Sequence, residues 1–148
     1  ETVIAEKMHA IIDLADQSSR MKDYYDIYHL LTSFKYDNTI LQDAINRTFE
    51  NRHTLYNADT MFFRKDFPNH TQMQLRWSTF LKKATIKNSL SFSEVAHWLQ
   101  EALMPYWEAY VILPTINTLY KKSAPSSPPG KRCTTQTKQT IERPSQAA

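Results

Sequence analysis

The chain has 148 residues, 41% of them hydrophobic, which is enough for one packed core and, apart from a tail, bounds it to one domain. No apolar run approaches the roughly 20 residues that a membrane-spanning helix needs, and the single cysteine excludes an internal disulfide framework and favours a reducing, cytoplasmic compartment. Residues 111–148 carry six basic residues and one acid, so the pI near 9.0 belongs to this tail and is no evidence for a basic nucleic-acid groove elsewhere.

The N-terminus lies inside a helical pattern. Glu1 is not preceded by an initiator methionine, and no signal peptide is in view. We expect the chain to be a fragment truncated upstream of Glu1, with a mature N-terminus as the alternative.

Three helices are predicted in the first 52 residues. Helical periodicity places the first over about residues 2–15 and the second from about Met21 to Phe34. Asp37 or Asn38 is predicted to cap a third helix over residues 39–52. The inward stripe of this third helix consists of Leu41, Ala44, Ile45, Thr48 and Phe49.

A long ordered loop and two further helices follow. Residues 53–69 lack a clear period and are predicted to be a loop anchored by phenylalanines, namely Phe62, Phe63 and Phe67. A fourth helix is predicted over about residues 71–83, and a capping box at Ser91–Glu94 opens a fifth, which Pro105 is predicted to end or kink. The residues predicted to face inward are Met73, Trp77, Phe80, Leu81, Val95, Leu99, Ala102 and Leu103.

The C-terminal segment differs in composition from the rest. After about Tyr120 it holds Pro, Ser, Thr, Gln and Lys but almost no large apolar residue, and its only glycine, Gly130, is the only one in the chain. Such a segment cannot bury enough apolar surface to offset its ordering entropy. The chain is therefore divided into a helical domain, 1–110, and a low-complexity, disordered tail, 111–148. A linker, an interaction tail and an out-of-frame C-terminus remain open for it.

The lack of glycine before Gly130 also limits which ligand-binding motifs the chain can contain. Residues 1–129 contain none, which excludes a P-loop, a dinucleotide-binding fingerprint and any loop that needs several residues with positive φ. The five histidines show no metal-ligand spacing, and we predict surface or hydrogen-bonded roles for them: His9, His29, His53, His70 and His97.

Two charges fall on the apolar faces of the first two helices. In the first helix the apolar arc encloses Lys7, whereas Glu6, His9 and Asp13 are predicted to face solvent. The arc consists of Val3, Ile4, Met8, Ile11, Ile12 and Leu14. In the second helix the arc encloses Asp23 and consists of Tyr24, Ile27, Tyr28, Leu30, Leu31 and Phe34.

An unpaired buried charge is costly, so Lys7 and Asp23 are predicted to face each other or a common cleft. Asp26 lies just outside the arc of the second helix. A structural salt bridge is one interpretation of the pair, since buried ion pairs are often only that. A perturbed ionisable pair that lines a cleft is also a candidate functional site, and the residues alone leave both interpretations open.

Two motifs in these helices match a known family. The first consists of Glu1, Thr2, Ala5, Glu6, Lys7 and Ala10. The second consists of Ser19, Arg20, Lys22, Asp23 and Asp26. Together they resemble the runs E-T-x-x-A-E-K-x-x-A and S-R-x-K-D-x-x-D in the C-terminal halves of AbiEii/AbiGii-type nucleotidyltransferase toxins. These abortive-infection proteins are the toxins of type IV toxin–antitoxin systems. The likeness continues more loosely to about residue 107.

The resemblance implies an all-α helical bundle that forms the C-terminal part of a polymerase-β-like nucleotidyltransferase. In that family an N-terminal α/β part holds two Mg²⁺ ions on a Gly-Ser and an Asp-x-Asp motif. The enzymes transfer a nucleoside monophosphate from an NTP to an acceptor, which in some relatives is the 3′ end of tRNA. The implied partners are therefore an NTP, tRNA and an antitoxin that acts indirectly, with no membrane.

Roles follow for the matching residues. The resemblance implies that Lys7 contacts the triphosphate and that Asp23 orients Lys7 or acts near the acceptor hydroxyl. Arg20 and Lys22 are implied contacts for phosphate or RNA. Two residues have supporting roles: Glu6 braces a neighbouring element, and Asp26 ranks below Asp23 because it lies off the arc.

The chain also departs from the family pattern. It has no Asp-x-Asp and no glycine before Gly130, so the metal-binding half is missing. We therefore expect a fragment that is inactive alone and binds neither Mg²⁺ nor NTP by itself. The alternative is a noncatalytic helical module that binds another protein.

Overall fold

The computed structural model describes the backbone of residues 1–87 and 90–123, and the side chains of residues 1–87 and 90–110. In this part of the chain the regular structure is five α-helices and three short 3-10 helices, without strands, which confirms the predicted all-α class. The α-helices are α1 (Thr2–Leu14), α2 (Met21–Ser33), α3 (Asn38–Asn51), α4 (Thr71–Lys83) and α5 (Phe92–Ser123). None of them is long and apolar enough to cross a membrane.

Side-chain caps explain where two helices begin. The Asp37 carboxylate accepts hydrogen bonds from the backbone N–H groups of Thr39 (2.8 Å) and Ile40 (3.0 Å), so it satisfies donors at the start of α3 that have no partner within the helix. At the start of α5, the Glu94 carboxylate accepts from the Ser91 N–H at 2.8 Å, and the Ser91 hydroxyl accepts from the Glu94 N–H. Both predicted caps are confirmed.

The fifth helix does not end at Pro105 but continues to Ser123. Proline at this position removes the donor that would serve the carbonyl of Glu101. Glu101 and Pro105 are both exposed, so water can reach that carbonyl, while Leu103 and Trp107 are buried on the opposite face. Residues 111–123 of the predicted tail are thus helical, and residues 124–148 lie outside the described residues. The division at residue 110 stays a prediction.

Three non-glycine residues take positive φ, one in each of three separate connections, so single positions of this kind occur without glycine in the described part of the chain. They are Ala15 (φ 40°), His53 (φ 53°) and Thr85 (φ 54°), and each follows the end of a helix. After α3, Thr54 N–H donates to the Phe49 carbonyl at 2.9 Å and His53 N–H to the Glu50 carbonyl. This is the Schellman arrangement, in which glycine is usual at the residue with positive φ. Satisfying the last carbonyls outweighs the steric cost here.

The core is centred on Tyr24 of α2, which is fully buried. Its ring contacts Phe62 and Phe67 from the loop and Phe92 from α5, with the last pair edge-to-face at 5.4 Å. The loop is therefore anchored in the core by two of its three predicted phenylalanines, while Phe63 is half-buried. Aromatic packing of this kind holds α2 in place against α5 and the loop.

The buried face of α1 is rotated from the predicted arc. Val3 and Leu14 are 54% and 38% exposed, whereas Ala5 and His9 are buried. The reason is that α1 packs chiefly against both α3 and α2, so its inward face is centred between them. His9 Nε2 lies 2.7 Å from the Thr54 hydroxyl, and burial, together with the charge of Arg52, lowers the pKa of His9.

Replacing Thr85 with glycine should stabilise the chain. Thr85 is β-branched, exposed and held at φ 54°, after the end of α4. Glycine removes the steric cost of this conformation, so Thr85→Gly should raise the free energy of unfolding by about 0.5–1 kcal/mol in urea unfolding.

A matched control is Ser78→Gly, an exposed position inside α4. Glycine in a helix interior should lower the free energy of unfolding by about 0.5–1 kcal/mol. Destabilisation by both substitutions would contradict the positive φ of Thr85.

Candidate functional site

The Lys7 ammonium bridges two carboxylates of α2. Its Nζ lies 2.8 Å from Asp23 Oδ1 and 2.9 Å from Asp26 Oδ2. The three side chains are 21%, 15% and 20% exposed, respectively, so they are partly desolvated but open to solvent. The predicted pairing of Lys7 with Asp23 is confirmed, and we call these three residues the Lys7 triad.

Helical spacing brings the two acids together. Asp23 and Asp26 are three residues apart near the start of α2, and side chains at this spacing lie on the same helix face. Lys7 comes from the middle of α1, which packs against α2. The triad thus joins the two helices, and the ranking of Asp26 below Asp23 does not hold for contact with Lys7.

The contacts of the triad favour the charged forms of Lys7 and Asp26. Partial burial lowers the pKa of Lys7, but hydrogen bonds to Asp23 and Asp26 outweigh it, so the pKa lies above the ordinary 10.5. Burial likewise raises the pKa of Asp26, and hydrogen bonds from Lys22 and Lys7 outweigh this and bring it below 3.8. Near neutral pH the triad therefore contains an ammonium and a carboxylate at Asp26 that resist titration.

Two cations lie at the rim of the triad. Lys22 pairs with Asp26 one helical turn away, and Arg20 Nε lies 3.9 Å from Asp23 Oδ2. Their side chains are 71% and 68% exposed, so both can turn towards a ligand at little cost. Glu6, the remaining motif residue, is exposed and forms no ion pair with the described residues. Its predicted bracing role stays a prediction.

The sequence did not indicate a role for Arg76 of α4. Its Nη1 donates to the carbonyls of Asp16 (2.6 Å) and Ser18 (3.2 Å), in the connection between α1 and α2. The Ser18 hydroxyl in turn accepts from the Arg20 N–H at 3.1 Å. These bonds fix the point where α2 begins and so place the acids of the triad. No local sequence signal marks a guanidinium that serves carbonyls about 60 residues away.

Two of the open hollows on the described surface have volumes of about 580 and 690 Å³, and the triad residues line neither. The α4 hollow, about 580 Å³, is formed by Ser19, Met21, Leu75, Arg76, Thr79, Phe80, Lys83 and Ala84. The α5 hollow, about 690 Å³, is formed by Phe63, Lys65, His97, Gln100, Glu101, Met104 and Pro105. The triad thus lies on an open surface rather than in either hollow.

The residues of the triad do not suit a divalent metal. Among the described side chains no group of three or more His, Cys, Asp or Glu residues is placed to hold a metal ion. Asp23 and Asp26 are both engaged by the Lys7 ammonium, which repels a second cation. The same ammonium, with Arg20 and Lys22 beside it, suits an anion.

Fold and site define a helical domain in which the ammonium of Lys7 lies beside two exposed cations, Arg20 and Lys22, at the start of α2, and such a group of cations suits phosphate. A family model described as nucleotidyl transferase AbiEii toxin, Type IV TA system, matches residues 1–110. The chain therefore belongs to the AbiEii family of nucleotidyltransferase toxins. No curated protein and no solved structure matches it.

Substitution of Asp26 should make the free energy of unfolding less dependent on pH in the acid range. Because the pKa of Asp26 is below 3.8 in the folded chain, the unfolded chain binds this proton more readily. The stabilisation is complete above about pH 4 and is lost as the pH falls through the folded-state pKa. The free energy of unfolding, measured with urea between about pH 5 and pH 2, should therefore fall less steeply with decreasing pH for Asp26→Asn than for the unmodified chain.

Asp43→Asn is the matched control, since Asp43 forms an exposed pair with Arg47 one turn away on α3. The control should follow the unmodified chain across this range. A pH profile for Asp26→Asn parallel to that of the unmodified chain would contradict the assigned pairing.

Proposed function

We propose that the Lys7 triad binds the triphosphate of an NTP during nucleotidyl transfer by this AbiEii-family toxin. The observation that carries the proposal is the fixed ammonium of Lys7, held by two carboxylates at 2.8 and 2.9 Å. A cation positioned in advance loses little conformational entropy when it meets a phosphate. Its raised pKa keeps it charged at every pH at which the protein would work.

The net charge of the site also suits a triphosphate. Lys7, Arg20 and Lys22 together exceed the two acids by one positive charge, and the outer two cations are mostly exposed. A triphosphate that approaches Lys7 can draw Arg20 away from its distant contact with Asp23. The three cations then share the phosphate oxygens, each as a charge-assisted hydrogen bond.

The two acids have different roles in this proposal. Asp26 Oδ2 is shared by Lys7 and Lys22, which makes Asp26 a brace for the cations. Asp23 Oδ1 accepts a hydrogen bond from Lys7, while the nearest ion-pair partner of Asp23 Oδ2 is Arg20 Nε at 3.9 Å. Oδ2 of Asp23 is therefore the oxygen available to accept a hydrogen bond from an acceptor hydroxyl.

Magnesium belongs to another part of the active site in this proposal. When bound, Mg²⁺ would neutralise phosphate charge and activate the attacking hydroxyl, as is general for nucleotidyl transfer. Residues 1–110 contain no Asp-x-Asp and no glycine for a phosphate-binding turn. We therefore propose that the chain acts in the cytoplasm as the helical part of the enzyme and does not catalyse transfer alone. The acceptor is the 3′ end of tRNA, and the antitoxin acts indirectly.

A noncatalytic binding module is the second candidate. Val3 and Phe34 are 54% and 59% exposed and border a hollow of about 240 Å³ with Lys35. An apolar patch of this kind favours contact with another protein surface.

Replacement of Lys7 tests the triphosphate site. Because the chain is expected not to bind a whole NTP by itself, inorganic tripolyphosphate, which probes the triad directly, would be titrated into the full chain by calorimetry. Lys7→Ala should weaken binding about tenfold or more, since it removes charge-assisted hydrogen bonds worth about 1.5–3 kcal/mol. Lys65→Ala, an exposed lysine in the α5 hollow, should change affinity less than about twofold.

Lys7→Arg guards against loss of fold, because it preserves the charge between the two acids. It should remain folded in thermal unfolding and bind tripolyphosphate more weakly than the unmodified chain. Undiminished binding by folded Lys7→Ala would mean that Lys7 is a structural partner only.

Transfer by the chain alone provides a separate test. With labelled NTPs, Mg²⁺ and tRNA, the chain should leave the tRNA unlabelled, because it lacks the family's metal-binding motif. Labelled tRNA that depends on Lys7 would contradict the proposal that another part is required.

A further inference from the structure

The region around α4 is basic within an acidic domain. Residues 67–93 hold four basic residues and no acidic one, while the other residues up to 110 hold eight basic and fourteen acidic ones. The four are Arg76, Lys82, Lys83 and Lys87. None of them forms a salt bridge within the part of the chain that the structure describes, although Arg76 is hydrogen-bonded to carbonyls. This segment therefore carries positive charge that favours a polyanion even though residues 1–110 are acidic overall.

The α4 hollow combines these charges with an apolar floor. Leu75 is 61% exposed and Phe80 is half-buried, while Lys83 and Arg76 supply positive charge at the same hollow. No acidic side chain contributes to the lining. The α5 hollow is larger but mixed in charge, since it includes Glu101. The absence of acids from its lining thus distinguishes the α4 hollow from the other large one.

The α4 hollow adjoins the Lys7 triad through the start of α2. Ser19 and Met21 line the hollow, and they alternate in sequence with Arg20 and Lys22, the exposed cations of the triad's rim. The lining of the hollow therefore includes positions four and two residues before Asp23 in the sequence. Arg76 stabilises this junction from α4 through its bonds to the connection between α1 and α2.

We propose that the α4 hollow binds a single strand of nucleic acid that is the acceptor, with a phosphate against Lys83 and a base against Leu75 and Phe80. A positive groove with apolar and aromatic surface is the recurring arrangement for single strands, since each base offers a flat apolar face. Inorganic phosphate would need only the cations, and an acidic peptide would not need a flat apolar floor. The identity of the strand as the acceptor rests on the proposed function. The binding of a single strand in the hollow does not depend on it.

The test uses the full chain and a short fluorescein-labelled RNA single strand of mixed sequence, followed by fluorescence anisotropy over a range of salt. Lys83→Glu should weaken binding about fivefold at roughly 0.1 M salt and reduce the slope of log affinity against log salt by about one. Leu75→Ser should also weaken binding, with the slope unchanged, because it removes apolar contact but no charge. Lys65→Glu, in the α5 hollow, is the matched charge-reversal control.

The basic residues between 111 and 148 add a nonspecific contribution that is the same in every variant. Equal losses for Lys83→Glu and Lys65→Glu, or no loss for either, would overturn the proposal and attribute binding to those residues. Full competition by polyglutamate would also overturn it in favour of an acidic protein partner. If the RNA affinity did not change in Leu75→Ser, the hollow would bind phosphate only. That result would contradict the proposed contact between a base and Leu75.

The two proposals fail independently. Tripolyphosphate affinity depends on Lys7 and should not change in Lys83→Glu. RNA affinity depends on Lys83 and Leu75 and should be measurable without NTP. If Lys83→Glu lost RNA binding but tripolyphosphate did not bind at Lys7, the hollow would still be a site for single-stranded RNA. Its role as the acceptor site would then be contradicted.

Discussion

One ammonium held between two carboxylates determines how the first two helices of this protein meet. Lys7 on α1 contacts Asp23 and Asp26 on α2 at hydrogen-bond distance, and all three remain partly open to solvent. Removing Lys7 would leave two partly desolvated carboxylates three residues apart, with only the exposed cations Arg20 and Lys22 beside them. The start of α2 is held further by Arg76 from α4, so the position of the triad depends on three helices.

In the proposed function the same cluster is both a link between two helices and a binding site. The salt bridges of the triad lie at the surface, with the exposed cations Arg20 and Lys22 beside them. The acids keep the ammonium charged and in place, and in the proposal the exposed cations supply the excess positive charge for phosphate. Membership of the AbiEii family gives such a site a chemical context, since nucleotidyltransferases handle triphosphates.

The sequence predicted helix positions and the pairing of Lys7 with Asp23 because both depend on local signals, namely caps and helical phase. It did not predict the contact of Asp26 with Lys7, because helical phase treats each helix alone, while contact across two helices depends on how they cross. The same limit explains His9 and Val3: α1 packs against two neighbours, so its buried face is not the most apolar one. Arg76 and the α4 hollow arise from tertiary contacts, and the average charge of residues 1–110 concealed the basic region.

The most direct test of the account is the NMR signal of the Lys7 side-chain ¹⁵Nζ during titration with inorganic tripolyphosphate. Lys7 lies between two carboxylates, while Lys35 and Lys65 are exposed elsewhere. The account predicts that the Lys7 signal shifts in a saturable way and that Lys35 and Lys65 change little. An unchanged Lys7 signal, with tripolyphosphate bound at other lysines, would contradict the claim that the triad is a triphosphate site.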